Sequence, residues 1–326
     1  MARTGIVLSN LGGPDVPASI EPFLFNLFAD PLILSFRPAF LRRFVARKIS
    51  KSRAPKVAKD YARIGGASPL PRLTDEQAKG LEALLEGEAP GRYAVAVAMR
   101  YWRPFTEAAV DALLARGCDR FLHLPLYPQE SRATTESSSL ELRRVLAEKA
   151  PKAPFAEIRS YHLDAAYVAA VRRTLDEALA TMRASGPQEV HVLFSAHGLP
   201  ERFEKTGDPY VGQIRATRDA VAKGLDAPTT LSFQSRVGPV AWVKPYTDAT
   251  IERLAAEGVK ALLFVPLGFV SDHFETLYEI DLQYGDLARS KGIERVGRAE
   301  SLNARPDFLA ALAGLVRRAP APATPR

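Results

Sequence analysis

Several continuous apolar runs of strand length constrain the fold of this chain more than any other feature of its sequence. The clearest runs are residues 261–267 (ALLFVPL) and 93–99 (YAVAVAM). A run without polar alternation is typical of a strand that is buried on both faces. Such strands belong to parallel sheets covered by helices, so the sequence predicts an α/β protein.

Strand and helix patterns alternate along the whole chain and divide into two halves. The predicted strands lie at residues 4–10, 93–99, 119–127, 155–160, 189–195, 230–235, 261–267 and 294–299. This pattern predicts two doubly wound parallel-sheet domains of flavodoxin or Rossmann type with a cleft between them. We expect a first domain over 1–160 and a second over 161–318, whose last helix is a candidate to pack back on the first. An Ala/Pro-rich tail over 319–326 is predicted to be disordered.

The composition excludes several classes of protein. With 47% hydrophobic and 25% charged residues, the chain has the composition of a soluble globular protein. No segment is apolar for long enough to span a bilayer, and the first residues enter a strand pattern without a signal peptide. The single Cys118 excludes an internal disulfide and a four-cysteine zinc or iron–sulfur site. We therefore expect a reducing, cytoplasmic location.

Much of the net charge of +7 lies within residues 37–59. No nucleic-acid-binding motif accompanies it, so we expect no nucleic-acid partner. Bulky apolar side chains alternate with arginines over residues 32–49, which overlap the start of this basic segment. Two interpretations remain open: a core-packed helix with snorkelling arginines, or an interfacial segment that contacts anionic lipid.

The segment after strand 261–267, SDHFETLYEID at 271–281, carries a dense group of acidic residues. Apolar residues at helical spacing predict a helix here: Phe274, Leu277, Ile280, Tyr284 and Leu287. A second, acidic stripe consists of Asp272, Glu275, Glu279 and Asp286. A charged face opposite an apolar stripe is usually only solvated. Ligands, however, bind at the carboxyl ends of strands in open parallel sheets, where this stripe and His197 both lie.

Residues 271–281 resemble the ferrochelatase signature S-D-H-x-E-T-L-Y-E-x-D. Further motifs resemble the same family in the same order along the chain: NLGGP at 10–14, RAPK at 53–56, IGGASPL at 64–70, RYWRP at 100–104, LFSAHGLP at 193–200, QSRVGP at 234–239 and RAESLN at 298–303. The chain departs from the family pattern at Glu130, where an aromatic residue is usual, and at Glu136, where glycine is usual. The match runs from about residue 4 to 318, and the chain is identified as a member of this family.

The resemblance implies a lyase that inserts Fe²⁺ into protoporphyrin IX, giving protohaem and two protons as the last step of haem biosynthesis. Iron is then a substrate, and neither a tightly bound cofactor nor an iron–sulfur cluster is expected. The reaction needs a base near the ring centre, and a neutral imidazole suits that role, so we assign it to His197. His197 and Glu275 could hold Fe²⁺ briefly, and Glu279 could carry protons. Whether Asp272 orients His197, or His273 orders the helix start, stays open.

The resemblance also implies a set of porphyrin contacts. Arg53, Lys56 and Ser68 match positions that meet the propionates, where charge-assisted hydrogen bonds are expected. Arg100 and Tyr101 line the wall of the site. Leu11, Val57 and Trp242 are apolar wall residues expected to bend the ring. Tyr61 and Arg236 are further matched positions expected to contact the substrate.

Several alternatives to this reaction remain. They are a coproporphyrin III ferrochelatase, a non-catalytic porphyrin or haem binder, and a chelatase for a cobalt- or nickel-containing tetrapyrrole. A flavodoxin-like nucleotide binder is disfavoured because no phosphate-binding loop is present. Apolar and basic residues near the expected porphyrin mouth (Phe40, Leu41, Phe44, Val45 and Ile49) favour the apolar protoporphyrin IX. They also predict contact with an anionic membrane surface through residues 36–49. The sequence carries no signal for the oligomeric state.

Overall fold

The computed structural model describes residues 2–35, 37–184, 186 and 189–323. It divides into two compact units, Met1–Tyr161 with Asn303–Arg326, and His162–Leu302. The division at residue 161 lies next to the boundary expected from the sequence, and the last helix belongs to the first unit. Each unit is an α/β layer structure with its own sheet.

The strands are β1 (Thr4–Asn10), β2 (Tyr93–Met99), β3 (Arg120–Pro125), β4 (Phe155–Glu157), β5 (His191–His197), β6 (Thr229–Gln234), β7 (Ala261–Leu267) and β8 (Arg295–Arg298). The α-helices are α1 (Ile20–Ala29), α2 (Ala39–Ala62), α3 (Leu70–Glu88), α4 (Thr106–Ala115), α5 (Ser137–Lys149), α6 (Ala165–Ala184), α7 (Glu201–Lys205), α8 (Tyr210–Ala222), α9 (Thr247–Ala256), α10 (Gly285–Ser290) and α11 (Pro306–Arg318). A short 3-10 helix spans Pro17–Ser19, and two π-helical segments span Arg132–Glu136 and Glu275–Tyr284.

Both sheets are parallel and share one strand order, which confirms the α/β prediction. The order is β2-β1-β3-β4 in the first unit and β6-β5-β7-β8 in the second. In each sheet the chain starts at an inner strand, moves to one edge and then crosses to the other side. In the second unit the direction changes between β5 and β7, and such a switch point is where open α/β sheets bind ligands.

Of the two clearest apolar runs, residues 261–267 form the inner strand β7, whereas residues 93–99 form β2 at the edge of the first sheet, beside the buried inner strand β1. In β1, Ile6 lies opposite Val95 on one side and Leu122 on the other. In the second unit, β7 lies beside β5, and its residues 261–265 are all buried. Helices cover both faces of each sheet, so these strands have no solvent face on which polar residues would be favoured.

The segment Glu275–Tyr284 is helical, as the sequence predicts, but it is a π-helix. The Gly285 N–H donates to the carbonyl of Ile280, five residues earlier. Because i→i+5 bonds lengthen the helical period, every fourth residue is buried here: Thr276, Ile280 and Tyr284. The expected apolar stripe is therefore buried only in part. Ile280 and Tyr284 are buried as predicted, whereas Phe274, Leu277 and Leu287 are only half-buried.

The tail was predicted to be disordered from residue 319. In the structure, Phe155 of β4 and Ala323 exchange two backbone hydrogen bonds, of 2.9 and 3.2 Å, in an antiparallel bridge. Residues 324–326 lie outside the described residues. Among the residues that the structure does describe, no helix is both long and apolar enough to cross a membrane.

The packing of α11 on α3 can be tested at Gly80. A Cβ atom at Gly80 would lie 2.5 Å from Leu309 of α11, whereas one at Gly87, also on α3, would meet nothing within 4 Å. We expect Gly80→Ala to lower the free energy of unfolding by about 1–2 kcal/mol because of overpacking. Gly87→Ala should raise it by up to about 1 kcal/mol through helix propensity. Urea unfolding of both variants measures the difference, and equal stabilisation would contradict this packing.

Candidate active site

The centre of the candidate site is a hydrogen bond between His197 and Glu275. His197 is the last residue of β5, and Glu275 begins the π-helix that follows the neighbouring strand β7. His197 Nδ1 lies 2.8 Å from Glu275 Oε1. Because a carboxylate only accepts, Nδ1–H donates and the neutral ring keeps its lone pair on Nε2. The His197 side chain is 31% exposed and Glu275 is 13% exposed.

Burial and charge act in opposite directions on this pair. Burial disfavours a charged imidazole, but the nearby carboxylates of Glu275 and Glu279 outweigh it and raise the pKa of His197. Burial would likewise raise the pKa of Glu275, but His197 and His273 hold it well below the usual range. The site therefore keeps Glu275 ionised and stabilises an imidazolium at His197.

Gln234 and Ser195 fix the other oxygen of Glu275. The Gln234 side-chain amide donates to Glu275 Oε2 at 3.1 Å. The Ser195 hydroxyl in turn donates to the Gln234 amide oxygen at 2.6 Å. Both Gln234 and Ser195 are buried. The sequence interpretation did not assign these two residues, although Gln234 begins the QSRVGP motif and ends strand β6.

Glu279 lies four residues further along the π-helix and accepts a hydrogen bond from the Ser235 hydroxyl. Ser235 has a left-handed backbone, with φ of 68°. Consecutive residues of an extended strand point to opposite faces, and this turn allows Gln234 and Ser235 to reach the same helix. Burial and the charge of Glu275 raise the pKa of Glu279 to about 7. The two glutamates thus differ widely in proton affinity.

The structure separates the contacts of Asp272 and His273. Asp272 Oδ1 accepts from Arg298 at 2.9 Å and from Ser301 at 2.8 Å. His273 Nδ1–H donates to the carbonyl of Ser271 at 3.0 Å, so its Nε2 faces Glu275 Oε1 at 3.7 Å, beyond hydrogen-bond range. His273 also bonds through its backbone N–H to Thr276 Oγ1 at the helix start. Glu275, not Asp272, provides the hydrogen bond to His197.

Of the two remaining predicted residues in this unit, one lies beside His197. The ring of Trp242 meets His197 edge-on, with centroids 6.4 Å apart, and its N–H donates to the carbonyl of Val237 at 3.1 Å. Arg236 is exposed, forms an ion pair with Asp248 and stacks over Tyr246, with its guanidinium 4.1 Å from the ring centroid.

In the first unit, Arg100 and Tyr101 follow β2 and share one buried carboxylate. Asp30 Oδ2 accepts from Arg100 at 3.0 Å, from the Tyr101 hydroxyl at 2.9 Å and from Ser137. Burial, with the charge of Asp30, raises the pKa of Tyr101 well above its usual value. Asp30 was not predicted because no local motif distinguishes it from a surface aspartate.

Leu11 bonds to Tyr101, and Ser68 packs against the turn that follows Leu11. The Leu11 carbonyl accepts from the Tyr101 backbone N–H at 3.0 Å, and the Ser68 N–H donates to the carbonyl of Pro14 at 2.8 Å. A Cβ atom at Gly13 would lie 2.4 Å from the Ser68 hydroxyl, so this close approach requires glycine. The structure therefore brings Leu11, Ser68, Arg100 and Tyr101 into one region of the first unit.

The other predicted porphyrin contacts lie together on α2. The Arg53 guanidinium lies 5.8 Å from the centroid of the Phe28 ring, and Lys56, three residues further on, is exposed on a neighbouring position of the helix surface. Val57 is half-buried, and Tyr61 is buried with its carbonyl bonded to the Gly66 N–H at 2.8 Å.

The predicted metal ligands form a pair and not a closed cage. His197 and Glu275 are in direct contact. Within the described ranges, no group of three or more histidine, cysteine, aspartate or glutamate side chains has a geometry that could hold a metal ion. Imidazole and carboxylate are both suitable donors for ferrous iron. A pair of this kind can bind an ion only through contributions from other ligands.

Comparisons with known proteins agree on one family. The family model described as Ferrochelatase matches residues 3–319. The chain is 45% identical to a ferrochelatase of Geotalea uraniireducens (strain Rf4), over 97% of this chain and 98% of the relative. It is 46% identical to a ferrochelatase of Synechococcus sp. (strain JA-2-3B'a(2-13)), over 97% and 93%.

Solved structures share the fold at low sequence identity. SirB from Bacillus subtilis, solved with Fe³⁺, matches with a TM-score of 0.56 and 14% identity, over 97% of this chain and 95% of SirB. The sirohydrochlorin chelatase SirB of Bacillus subtilis subspecies spizizenii, in complex with cobalt, gives a TM-score of 0.51 and 12% identity, over 97% and 94%.

The raised pKa of Glu279 predicts a pH-dependent stability difference. Because the folded state binds this proton more tightly than the usual value of 4.5 allows, Glu279 contributes stability below pH 4.5 that is lost as the pH rises through about 7. Glu279→Gln carries no such dependence. We expect its free energy of unfolding, relative to wild type, to increase between pH 4.5 and 8 by up to about 3 kcal/mol. Urea unfolding of both proteins between pH 4.5 and 8 measures this change. A difference in unfolding free energy that stays constant with pH would contradict the raised pKa of Glu279.

Proposed function

The chain belongs to the ferrochelatase family, and from this membership we propose that it inserts Fe²⁺ into protoporphyrin IX, giving protohaem and two protons. The family defines the protein as a haem-type ferrochelatase, a metal chelatase that acts in porphyrin and haem biosynthesis. Porphyrin and iron are therefore its substrates. The observation that carries the proposed mechanism is the hydrogen bond of 2.8 Å between His197 and Glu275.

In this mechanism His197 removes the pyrrole protons. With Nδ1–H directed at Glu275, the Nε2 lone pair accepts a proton from a pyrrole N–H, and the imidazolium that forms is stabilised by the adjacent carboxylate. Glu279, with a pKa of about 7, can accept and release a proton at neutral pH. Gln234 and Ser235 keep the two carboxylates in place during this transfer.

Iron is handled by a weak donor set. The imidazole of His197 and the carboxylate of Glu275 offer one nitrogen and up to two oxygens, which suit Fe²⁺. A closed four-ligand site retains its ion, whereas a chelatase has to release iron to the porphyrin. The pair of His197 and Glu275 is therefore suited to bind Fe²⁺ transiently before its insertion into the porphyrin.

The porphyrin is proposed to bind through its propionates and its apolar ring. Arg53 and Lys56 of α2 and the hydroxyl of Ser68 supply cationic and neutral donors for carboxylates. Exposed apolar side chains at the start of α2, including Phe40 and Phe44, favour a tetrapyrrole with two propionates over one with four. This supports protoporphyrin IX, with coproporphyrin III as the alternative substrate.

The departures from the family pattern do not favour a non-catalytic binder. The carboxylate of Glu130 is held by Arg159 in a contact of 2.5 Å, so the unusual acid has an ion-pair partner. Every acidic and basic position assigned to the chemistry is present. A binder that had lost catalysis would have no need for a histidine and a carboxylate kept in hydrogen-bond contact.

Metallation of porphyrin by the purified protein tests this function. Anaerobic assays with Fe²⁺, and with Zn²⁺ as a substitute, should show turnover of protoporphyrin IX by wild type. His197→Ala should lose about 100-fold or more in kcat, the scale of a lost general base, while still binding porphyrin. Glu275→Gln should also be slower because the imidazolium loses its counter-charge. His191→Ala is the matched control: His191 is half-buried, lies in β5 like His197, and is bonded to Thr230 of β6.

Three outcomes of that assay would change the proposal. Porphyrin binding without turnover by wild type would favour the non-catalytic homologue. Turnover that survives His197→Ala would retain the enzyme and reject the base assignment. Equal or better turnover of coproporphyrin III would reject protoporphyrin IX as the substrate.

We also propose that the protein works in the cytoplasm at the inner membrane surface, through residues 36–49. Phe36 lies outside the described residues. At the start of α2, Phe40 is 75% exposed and Phe44, one turn later, is 55% exposed. Lys48 lies over the Phe44 ring at 4.7 Å, which places a cation beside the apolar pair. Exposed aromatic residues next to cations suit the headgroup region of anionic lipid.

Liposome flotation tests the membrane surface. At low salt we expect the protein to float with vesicles that contain anionic lipid and to bind neutral vesicles less. The double variant Phe40→Ser with Phe44→Ser should bind about 100-fold more weakly or worse, since each Phe buried in lipid contributes about 1.5–3 kcal/mol. Leu140→Ser, at a leucine that is 52% exposed elsewhere in the same unit, is the control. No binding by wild type would reject the proposal.

A further inference from the structure

Arg298 contacts both ends of the segment that carries the two active-site glutamates. It is the last residue of the edge strand β8. Its Nε and one terminal nitrogen donate to the two oxygens of Asp281, at 2.7 and 3.0 Å. Its other terminal nitrogen donates to Asp272 Oδ1 at 2.9 Å. One guanidinium therefore binds a residue before the π-helix and a residue within it.

The residues between these two anchors are the ones that carry the chemistry. Glu275 and Glu279 both lie between Asp272 and Asp281, and each is bonded on its other side to a strand end, through His197 and Ser235. The segment is thus held on one side by the active-site contacts and on another by Arg298. Ser301, close behind β8 in the chain, adds a second bond to Asp272 at 2.8 Å.

A π-helix needs such an external restraint more than an α-helix does. π-Helical hydrogen bonding is rare and occurs mostly as single turns, often at functional sites, whereas this segment continues for ten residues. A change to α-helical hydrogen bonding would rotate Glu279 relative to Glu275, so that both could not keep their present partners. Arg298 is only 13% exposed, so little solvent screens its two ion pairs.

We propose that Arg298 is a positioning residue for metal insertion: by bridging Asp272 and Asp281 it holds the π-helix in register, so that Glu275 meets His197 and Glu279 meets Ser235. The inference rests on the proposed function for its activity readout. The first and last acids of the SDHFETLYEID segment are then anchors, and Glu275 and Glu279 are the acids that act on the substrates. A planar guanidinium can bind both anchors at once, whereas the compact ammonium of lysine cannot present the same fork.

The test compares Arg298→Met and Arg298→Lys with wild type. Losing a contact that orients reacting groups typically costs about 10- to 100-fold in activity, and we expect a fall of that size in kcat for Arg298→Met. KM for the porphyrin should change by less than about threefold, since the residues assigned to porphyrin contact are untouched. Arg298→Lys should give an intermediate kcat. Arg289→Met, which removes an exposed arginine paired with Asp286 just after the π-helix, should leave kcat unchanged.

Amide hydrogen exchange gives a readout that does not depend on activity. Peptides covering residues 272–284 should exchange faster in Arg298→Met than in wild type, while peptides from β5 and β6 should not change. If Arg298→Met fails to fold, Asp281→Asn tests the positioning role instead, because this variant retains the bond from Arg298 to Asp272. We expect Asp281→Asn to lose kcat severalfold and to exchange faster over residues 272–284.

The outcomes separate the two proposals. Absence of turnover by wild type would reject the proposed function. The role of Arg298 would then be tested by the amide exchange rates over residues 272–284 alone. Normal kcat and unchanged exchange in Arg298→Met, or in Asp281→Asn where that variant decides, would overturn the positioning role. Loss in Arg289→Met equal to that in Arg298→Met would also overturn it.

Discussion

The contact between a strand-end histidine and a carboxylate at a helix start is the interaction on which the site depends. His197 ends β5, and Glu275 begins the π-helix that follows the adjacent parallel strand β7; the carboxyl ends of both strands lie at the same edge of the sheet. The parallel order therefore determines that residues 78 positions apart in sequence can meet. Three buried neighbours support this contact: Ser195 and Gln234 orient the carboxylate, and Tyr210 bonds to the backbone of His197.

Two carboxylates one turn apart perform different tasks because their surroundings differ. Glu275 has histidines on two sides and stays ionised, whereas Glu279 has the charged Glu275 as a neighbour and a single hydroxyl as a donor. Pairs of titratable groups with divergent proton affinity are typical of acid–base sites. The contrast arises within one helix, through the partners that the ends of β5 and β6 provide.

The sequence predicted what depends on local patterns and missed what depends on distant partners. Continuous apolar runs were sufficient for the two parallel sheets, and strand ends were sufficient to bring His197 and Glu275 together. The π-helix was not predictable, because residues 274–287 also fit a period of 3.6. Asp30 was missed because it acts through residues far away in sequence, with no motif of its own. Arg298 begins the RAESLN motif but was given no role, because the motif does not show which carboxylates it contacts. The left-handed turn at Ser235 was equally hidden, since serine seldom adopts it.

The second π-helical segment, Arg132–Glu136, occupies a place in the first sheet equivalent to that of the longer segment in the second. It follows β3 just as the longer one follows β7, and in both sheets that strand is the third of the order. Its Glu136 N–H donates to the carbonyl of Ser131, again five residues back. The halves show no evident sequence repeat, yet they repeat an uncommon helical irregularity at an equivalent place. The two sheets therefore carry the same uncommon helical irregularity after their third strand. The assigned proton chemistry lies on the longer segment, and the buried Asp30 cluster contacts Ser137 directly after the shorter one.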